Sequence, residues 1–252
     1  MGHRFRALLG LAVFLSCAPA FAWQATHPLS GRRIAHVMGT AGADWLSRPE
    51  REAEEQPEKA LDALHLEPGM VAADIGAGTG YMTLKLARRV GPQGKVYAED
   101  VQPLMLDRLR ANARKAGLGN IETVTGSEAD PRLPPDSMDL ILLVDVYHEF
   151  SQPQAMLEAM RKSLKSDGRL VLLEYRKEDP SIPIHPDHKM SVAVAKLEVE
   201  AEGFHLDQVI ETLPRQHILI FKKSPEKTGR ERGQSAFTKS ISTRSIARNS
   251  TM

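Results

Sequence analysis

The chain has 252 residues, 42% hydrophobic and 26% charged, enough for one α/β domain of about 200 residues with appendages. Its one cysteine, Cys17, lies in the first 22 residues, so the remainder offers no disulfide, thiolate zinc site or cysteine nucleophile. The formal charge of +1 divides into +2 over residues 1–22, −5 over 23–223 and +4 over 224–252, and an acidic folded region is a poor partner for nucleic acid.

Arg4 and Arg6 precede the apolar run ALLGLAVFLSCAPAFA, which ends in Ala20-Phe21-Ala22. Charge, length and small-x-small ending predict a cleaved secretory signal over residues 1–22 and a periplasmic or secreted protein, a retained membrane anchor being the alternative. Residues 23–57 form a polar N-terminal extension. Within it, Trp45 and the charge run Arg48–Glu55 make either a lid or an anchored helix with solvated charges, and the segment turns helical towards Leu64.

From residue 58 strands and helices alternate. Met70–Asp74 reads as a strand, and Met82, Leu86 and Val90 recur as one helix face. Gly91-Pro92-Gln93-Gly94 is a turn into a second strand, Lys95–Glu99. Met105, Leu109, Ala113 and Ala116 mark a second helix closed by Gly117, and Ile121–Val124 a third strand. Leu140–Val144, LILLV, is apolar on both faces, as a central parallel strand requires. A helix over Pro153–Leu164, a turn at Asp167-Gly168, a strand over Arg169–Tyr175 and a helix over Lys189–Glu202 follow. The runs Phe204–Leu213 and His217–Phe221 are joined by three residues, too few for a parallel crossover. The predicted fold is a Rossmann-like open α/β sheet over residues 58–223, mostly parallel, with an antiparallel terminal hairpin and helices on both faces. Residues 224–252 read as a disordered basic tail.

The first strand runs into Gly76-Ala77-Gly78-Thr79-Gly80. Open α/β sheets bind ligands beyond the carboxyl ends of their strands, and glycine lets a ligand lie against bare backbone. Tyr81 stands where a dinucleotide loop needs its third glycine, and no Gly-Lys-Ser/Thr follows, so neither a nicotinamide site nor a P-loop is present. Asp74 precedes the loop, where an anion repels phosphate and suits a cation, and Asp100 ends the second strand, where a carboxylate can accept both ribose hydroxyls. A nucleoside without phosphates that carries a sulfonium and an ammonium, S-adenosylmethionine, fits that pattern.

The ordered stretches VAADIGAGTGY, VYAEDV, DLILLVDVYHEF and LKSDGRLVLLEY resemble the successive motifs of the class I S-adenosylmethionine-dependent methyltransferases. The likeness covers about residues 58–222 and is closest to the group that includes the quinone-biosynthesis methyltransferases. The segment ADWLSRPEREAEEQPEKALDAL resembles a group of exported bacterial methyltransferases. The resemblance implies that Gly76, Gly78 and Gly80 line the methionine part of the cofactor and that Asp74 orients that loop or reaches the amino group through water. It implies that Asp100 binds ribose and Val101 packs on adenine. Ser127 and Glu128 take the place of the acidic residue that usually meets the adenine amine.

Methyl transfer needs nucleophile and methyl group held close and in line, with a base where the acceptor must lose a proton. In Asp145-Val146-Tyr147-His148-Glu149, His148 is the candidate base, the alternative being a packing role; Tyr147 is a second candidate catalytic residue or a wall of the site, and Asp145 a cofactor organiser. The segment lacks the Asn/Asp-Pro-Pro-Tyr/Phe motif of enzymes that methylate exocyclic or amide nitrogens. That leaves oxygen, carbon, sulfur or amine acceptors on a small or lipid-like molecule. His185-Pro-Asp-His188 invites a metal, but no second cluster in the sequence supplies further ligands, so no metal site is expected. No stable protein partner is predicted. The alternative functions are a non-catalytic binder of S-adenosylmethionine or S-adenosylhomocysteine and an aminopropyl transferase.

Overall fold

The computed structural model describes residues 25–225, so the expected signal sequence and all but the first two residues of the basic tail lie outside the described residues. Five strands run parallel: β1 (Val71–Ile75), β2 (Lys95–Asp100), β3 (Ile121–Thr125), β4 (Met138–Val144) and β5 (Leu164–Tyr175). β6 (Phe204–Ile210) and β7 (Gln216–Lys223) complete a seven-stranded sheet in the order β3-β2-β1-β4-β5-β7-β6. β7 is antiparallel to both β5 and β6, so the sheet is the Rossmann-like one the patterning predicts.

The helices are α1 (Arg51–Glu55), α2 (Pro57–Ala63), α3 (Tyr81–Val90), α4 (Pro103–Lys115), α5 (Pro153–Ser163) and α6 (Val192–Glu200). They cover both faces because the central strand alternates between two cores. Leu140 and Leu142 of β4 pack with Leu61, Leu64, Met82 and Leu86 from α2 and α3 and the turn after α2. Ile141 and Leu143 pack on the other side with Met156, Met160 and Val199 from α5 and α6. That is why LILLV shows no alternation: both faces are dry.

The stretch predicted to turn helical towards Leu64 is two short helices, because Gln56 takes a left-handed conformation (φ 51°) ahead of Pro57. Proline disfavours the helical conformation in the residue before it, which apolar periodicity does not register. β5 begins at Leu164, not Arg169. Met138 pairs with Leu164 and Leu140 with Arg169, so residues 165–168 bulge between two paired segments and contain the predicted turn.

β1 lies between β2 and β4, so the connections leave it in opposite directions and open a crevice at the carboxyl ends of the strands. All the candidate site residues lie at or near that crevice.

Candidate functional site

A cavity of about 380 Å³ occupies the crevice. Gly76, Gly78, Asp100, Val101, Ser127, Glu128, Asp145 and His148 line it, from four different loops, together with Glu99, Glu149, His185 and His188. Val37, Met38, Trp45, Leu46 and Arg51 of the N-terminal extension line it as well. Three residues expected at the site do not reach it. Tyr147 is fully buried in the core, edge-to-face with Phe150 at 5.6 Å and with the Arg32 guanidinium 5.7 Å from its ring centre. It is no wall of the cavity, because the turn Tyr147–Glu149 aims His148 and Glu149 outward and the tyrosine inward. Asp74 is also buried, and its Oδ2 accepts from the Thr83 hydroxyl at 2.6 Å, tying β1 to the first turn of α3; burial pushes this carboxyl up to about 6. Gly80 (φ 89°) caps α3, and a Cβ there would come within 2.7 Å of Leu109 in α4. Its role is loop packing.

The glycine loop is held by the end of β2. Asp100 Oδ2 accepts from the Gly78 N–H at 2.9 Å and Oδ1 from the Gln102 N–H at 2.8 Å, while the Ala77 N–H donates to the Glu99 carbonyl. Burial raises the Asp100 carboxyl above its ordinary range. Glu99 runs beneath the loop, where its Oε1 is buried with no hydrogen-bond partner among the described residues; burial, with the neighbouring Asp100 and Asp74 charges, pushes it up to about 8. Val101 stays 40% exposed on the cavity side, an apolar surface open to a flat ligand. Ser127 is turned back on Asp130, and Glu128 accepts from the Ser151 hydroxyl at 2.8 Å.

Asp145 follows β4 in a left-handed conformation (φ 53°). Its Oδ2 accepts from Gln216 at 2.7 Å, and its Oδ1 is buried with no partner among the described residues. Burial, reinforced by the charges of Glu55 and Glu174, holds this carboxyl well above the usual range. Arg51 is the cation beside it, but it is engaged by Glu55 at 2.6 Å, which also accepts from the Tyr175 hydroxyl at 2.8 Å. The cavity thus presents carboxyl groups with unused oxygen atoms at Glu99 and Asp145, an arrangement that suits the hydroxyl and ammonium groups of a ligand.

His148 is fixed on two sides. Its Nδ1 lies 2.6 Å from Glu174 Oε2 in β5, and Glu174 Oε1 accepts from the Tyr147 N–H at 3.0 Å. Its backbone carbonyl accepts from Arg32 at 3.0 Å and from the Ala35 N–H at 3.0 Å, so the N-terminal extension clamps the same turn. His148 Nε2 lies 3.0 Å from His188 Nδ1, and Glu149 Oε1 3.8 Å from that atom. The loop after β5 carries His188 there, folded back by the Arg176–Met190 bridge and by Lys189, whose buried ammonium donates to the Asp179 and Ile182 carbonyls. Burial pushes the Glu149 carboxyl up to about 7.

The fold brings His188, though not His185, into a group of possible ligand atoms that the sequence does not show. His148, Glu149 and His188 each offer one donor atom, all within 4.8 Å of one another. Pro186 rules out a regular helix, and a 3-10 turn over Pro186–His188 brings His188 round to His148, 40 residues earlier. Glu174 was not singled out in the sequence. The signal for it was a lone carboxylate inside the apolar run RLVLLEY.

Comparison with known proteins follows the same lines. The family model described as "Methyltransferase domain" matches residues 66–218. The ubiquinone/menaquinone biosynthesis C-methyltransferase UbiE of Vibrio campbellii is 33% identical over 118 residues, 46% of this chain and 46% of its own; the chain thus matches about half the length of the curated relatives. A solved structure of a SAM-dependent methyltransferase from Aquifex aeolicus superimposes with a TM-score of 0.70 at 29% identity, covering 73% of this chain and 98% of that one. The cyclase SpnF shares the fold at 16% identity and a TM-score of 0.57, over 67% of this chain and 80% of its own. With the predicted motifs in the crevice and the family model spanning most of the sheet, this chain belongs to the methyltransferase-domain family and carries the fold of the S-adenosylmethionine-dependent methyltransferases.

Proposed function

We propose that the protein transfers a methyl group from S-adenosylmethionine to a small, lipid-like acceptor that must lose a proton to react. One observation carries this reading: the Glu174–His148 pair opens onto the same cavity as Gly76, Gly78 and Asp100. The residues present fit the donor. Asp100 and the unpaired Oδ1 of Asp145 supply acceptors for hydroxyl and ammonium groups, Gly76 and Gly78 leave bare backbone beside them, and Val101 offers an apolar face. When bound, the donor supplies a methyl carbon already activated by its sulfonium.

The chain's own residues supply position and proton management. Glu174 accepts the Nδ1–H of His148 and so selects the tautomer whose Nε2 is unprotonated. Nε2 points to His188, giving a short relay from a buried carboxylate to the cavity. Trp45, Leu46 and Met38 line the cavity, with Leu46 against Gly78, and this apolar wall limits the access of water to the acceptor. The similarity to UbiE over 46% of each chain supports a quinone-like acceptor. Export by the N-terminal signal belongs to the same reading and is tested by mass spectrometry for a mature N-terminus at Trp23.

The first experiment is calorimetric titration of the purified protein with S-adenosylmethionine and S-adenosylhomocysteine, beside Asp100→Ala, followed by transfer of labelled methyl groups to a panel of hydroxylated rings. Binding that is lost in Asp100→Ala, with transfer that falls by at least about 100-fold in His148→Ala at unchanged cofactor affinity, supports the reading. Transfer that survives in His148→Ala rejects the histidine as the proton acceptor. Binding without transfer to any acceptor favours the non-catalytic alternative.

A further inference from the structure

We infer that His148, His188 and Glu149 form a binding site for one first-row divalent metal ion in the wall of the cavity. The inference rests on the methyl-transfer reading for what the ion does there, but not for whether it binds. The three donors converge from two loops: His148 and Glu149 follow β4, and His188 sits in the loop after β5. They form neither a local sequence motif nor an acidic patch.

The distances suit coordination. His148 Nε2 and His188 Nδ1 are 3.0 Å apart. Two nitrogens at that separation can both bind one ion at ~2.0–2.1 Å with a ligand–metal–ligand angle of roughly 95°. Glu149 Oε1 lies 3.8 Å from His188 Nδ1, too far for a hydrogen bond but suited to a third ligand on the same ion. Among the described residues no Lys or Arg pairs with the Glu149 side chain, which is 11% exposed. A cation could bridge this carboxylate and these two imidazoles in place of the hydrogen bond between the rings.

The shell behind the ligands is already built. A metal-ligating histidine usually donates its other ring N–H to a carboxylate, which fixes the tautomer and raises ligand basicity. Glu174 does this for His148 at 2.6 Å with a fully buried side chain, and its second oxygen is held by the Tyr147 N–H. Three protein ligands leave coordination positions open, and these face the cavity. Two imidazoles and one carboxylate select zinc, iron or manganese rather than magnesium or calcium. An acceptor hydroxyl taken up as a further ligand would become more acidic and release its proton to water; with Nε2 on the ion and its Nδ1–H on Glu174, His148 would then act as a ligand, and the ion would take over the proton loss from the histidine.

The test uses the untagged full chain, stripped with a chelator and dialysed. Zinc is titrated calorimetrically and cobalt by visible absorption, with His188→Ala and Glu149→Gln alongside; both sites are partly solvent-accessible, and circular dichroism checks that each variant folds. One equivalent bound in the micromolar range or tighter, with the cobalt absorption of nitrogen–oxygen ligation, is expected. Each variant is expected to weaken binding by at least about tenfold. No binding, or affinity unchanged in both variants, overturns the site. Titration of the same samples with S-adenosylmethionine separates the two ideas. Cofactor binding without metal binding overturns the metal site alone, whereas metal binding without cofactor binding overturns the transfer reading and leaves the site standing.

Discussion

A methyl group added at Gly76 has nowhere to go. The residue sits at φ 67°, and its Cβ would overlap the Val146 side chain. Strain and overpacking together predict that Gly76→Ala costs about 2–4 kcal/mol, read by urea denaturation, with loss of cofactor affinity in whatever remains folded. Glu99 offers a sharper test. It lies in a strand position that apolar residues normally fill, and it binds its proton more tightly in the folded chain, at about 8, than at its ordinary 4.5. The folded state therefore carries more protons than the unfolded one across that window, and stability falls as pH rises through it, by at most about 1.4 kcal/mol per pH unit. Glu99→Gln removes the ionisation. Its melting temperature relative to the unmodified protein is expected to rise steadily from pH 5 to 8, and a pH-independent difference would reject the buried-carboxyl account. Both residues could be singled out from sequence, the glycine by its loop and the glutamate by its oddity. Their neighbours Val146 and Gly126 could not, because contact across two loops has no local signature.

Among the elements, the N-terminal extension is the one whose role is legible only in three dimensions. Glu198 of α6 has a fully buried side chain and receives Arg32 through two hydrogen bonds, at 3.1 and 3.0 Å, and the Ser30 hydroxyl. Arg32 in turn donates to the carbonyl of His148. In sequence Glu198 looks like a solvated helix charge, since its partner lies 166 residues away. Removing one partner of a buried ion pair strands the other, so Glu198→Ala is expected to cost about 3–5 kcal/mol. The same variant should expose the Arg32-Arg33 bond to trypsin while the sheet resists cleavage. Cleavage as slow as in the unmodified protein would show that the clamp does not depend on this pair. Helix α2 shows the complementary case: Pro57 is visible in the sequence, and so is the helix start it marks.

For the molecule as a whole, β7 is the element that closes the sheet. It is inserted between β5 and β6, pairs with both, and carries Leu219 and Phe221 fully buried into the core shared with α5 and α6. Truncation before Gln216 should therefore abolish cooperative unfolding altogether, and Phe221→Ala should cost about 3–5 kcal/mol. A truncated chain that still melts in one sharp transition would mean the five parallel strands suffice. The alternation of strand and helix, the dry central strand, the terminal hairpin and the glycine loop with Asp100 were all determined by the sequence itself, because each depends on residues within one element or one turn. The tertiary structure alone decided which side chains meet. It turned Tyr147 into the core and His148 into the cavity, set Glu174 behind that histidine, and brought His188 and Glu149 beside it. Hydrophobic periodicity acts through near neighbours and so leaves a local trace, whereas a site assembled from the ends of separate strands is fixed by sheet order and loop closure, which no short stretch of chain contains.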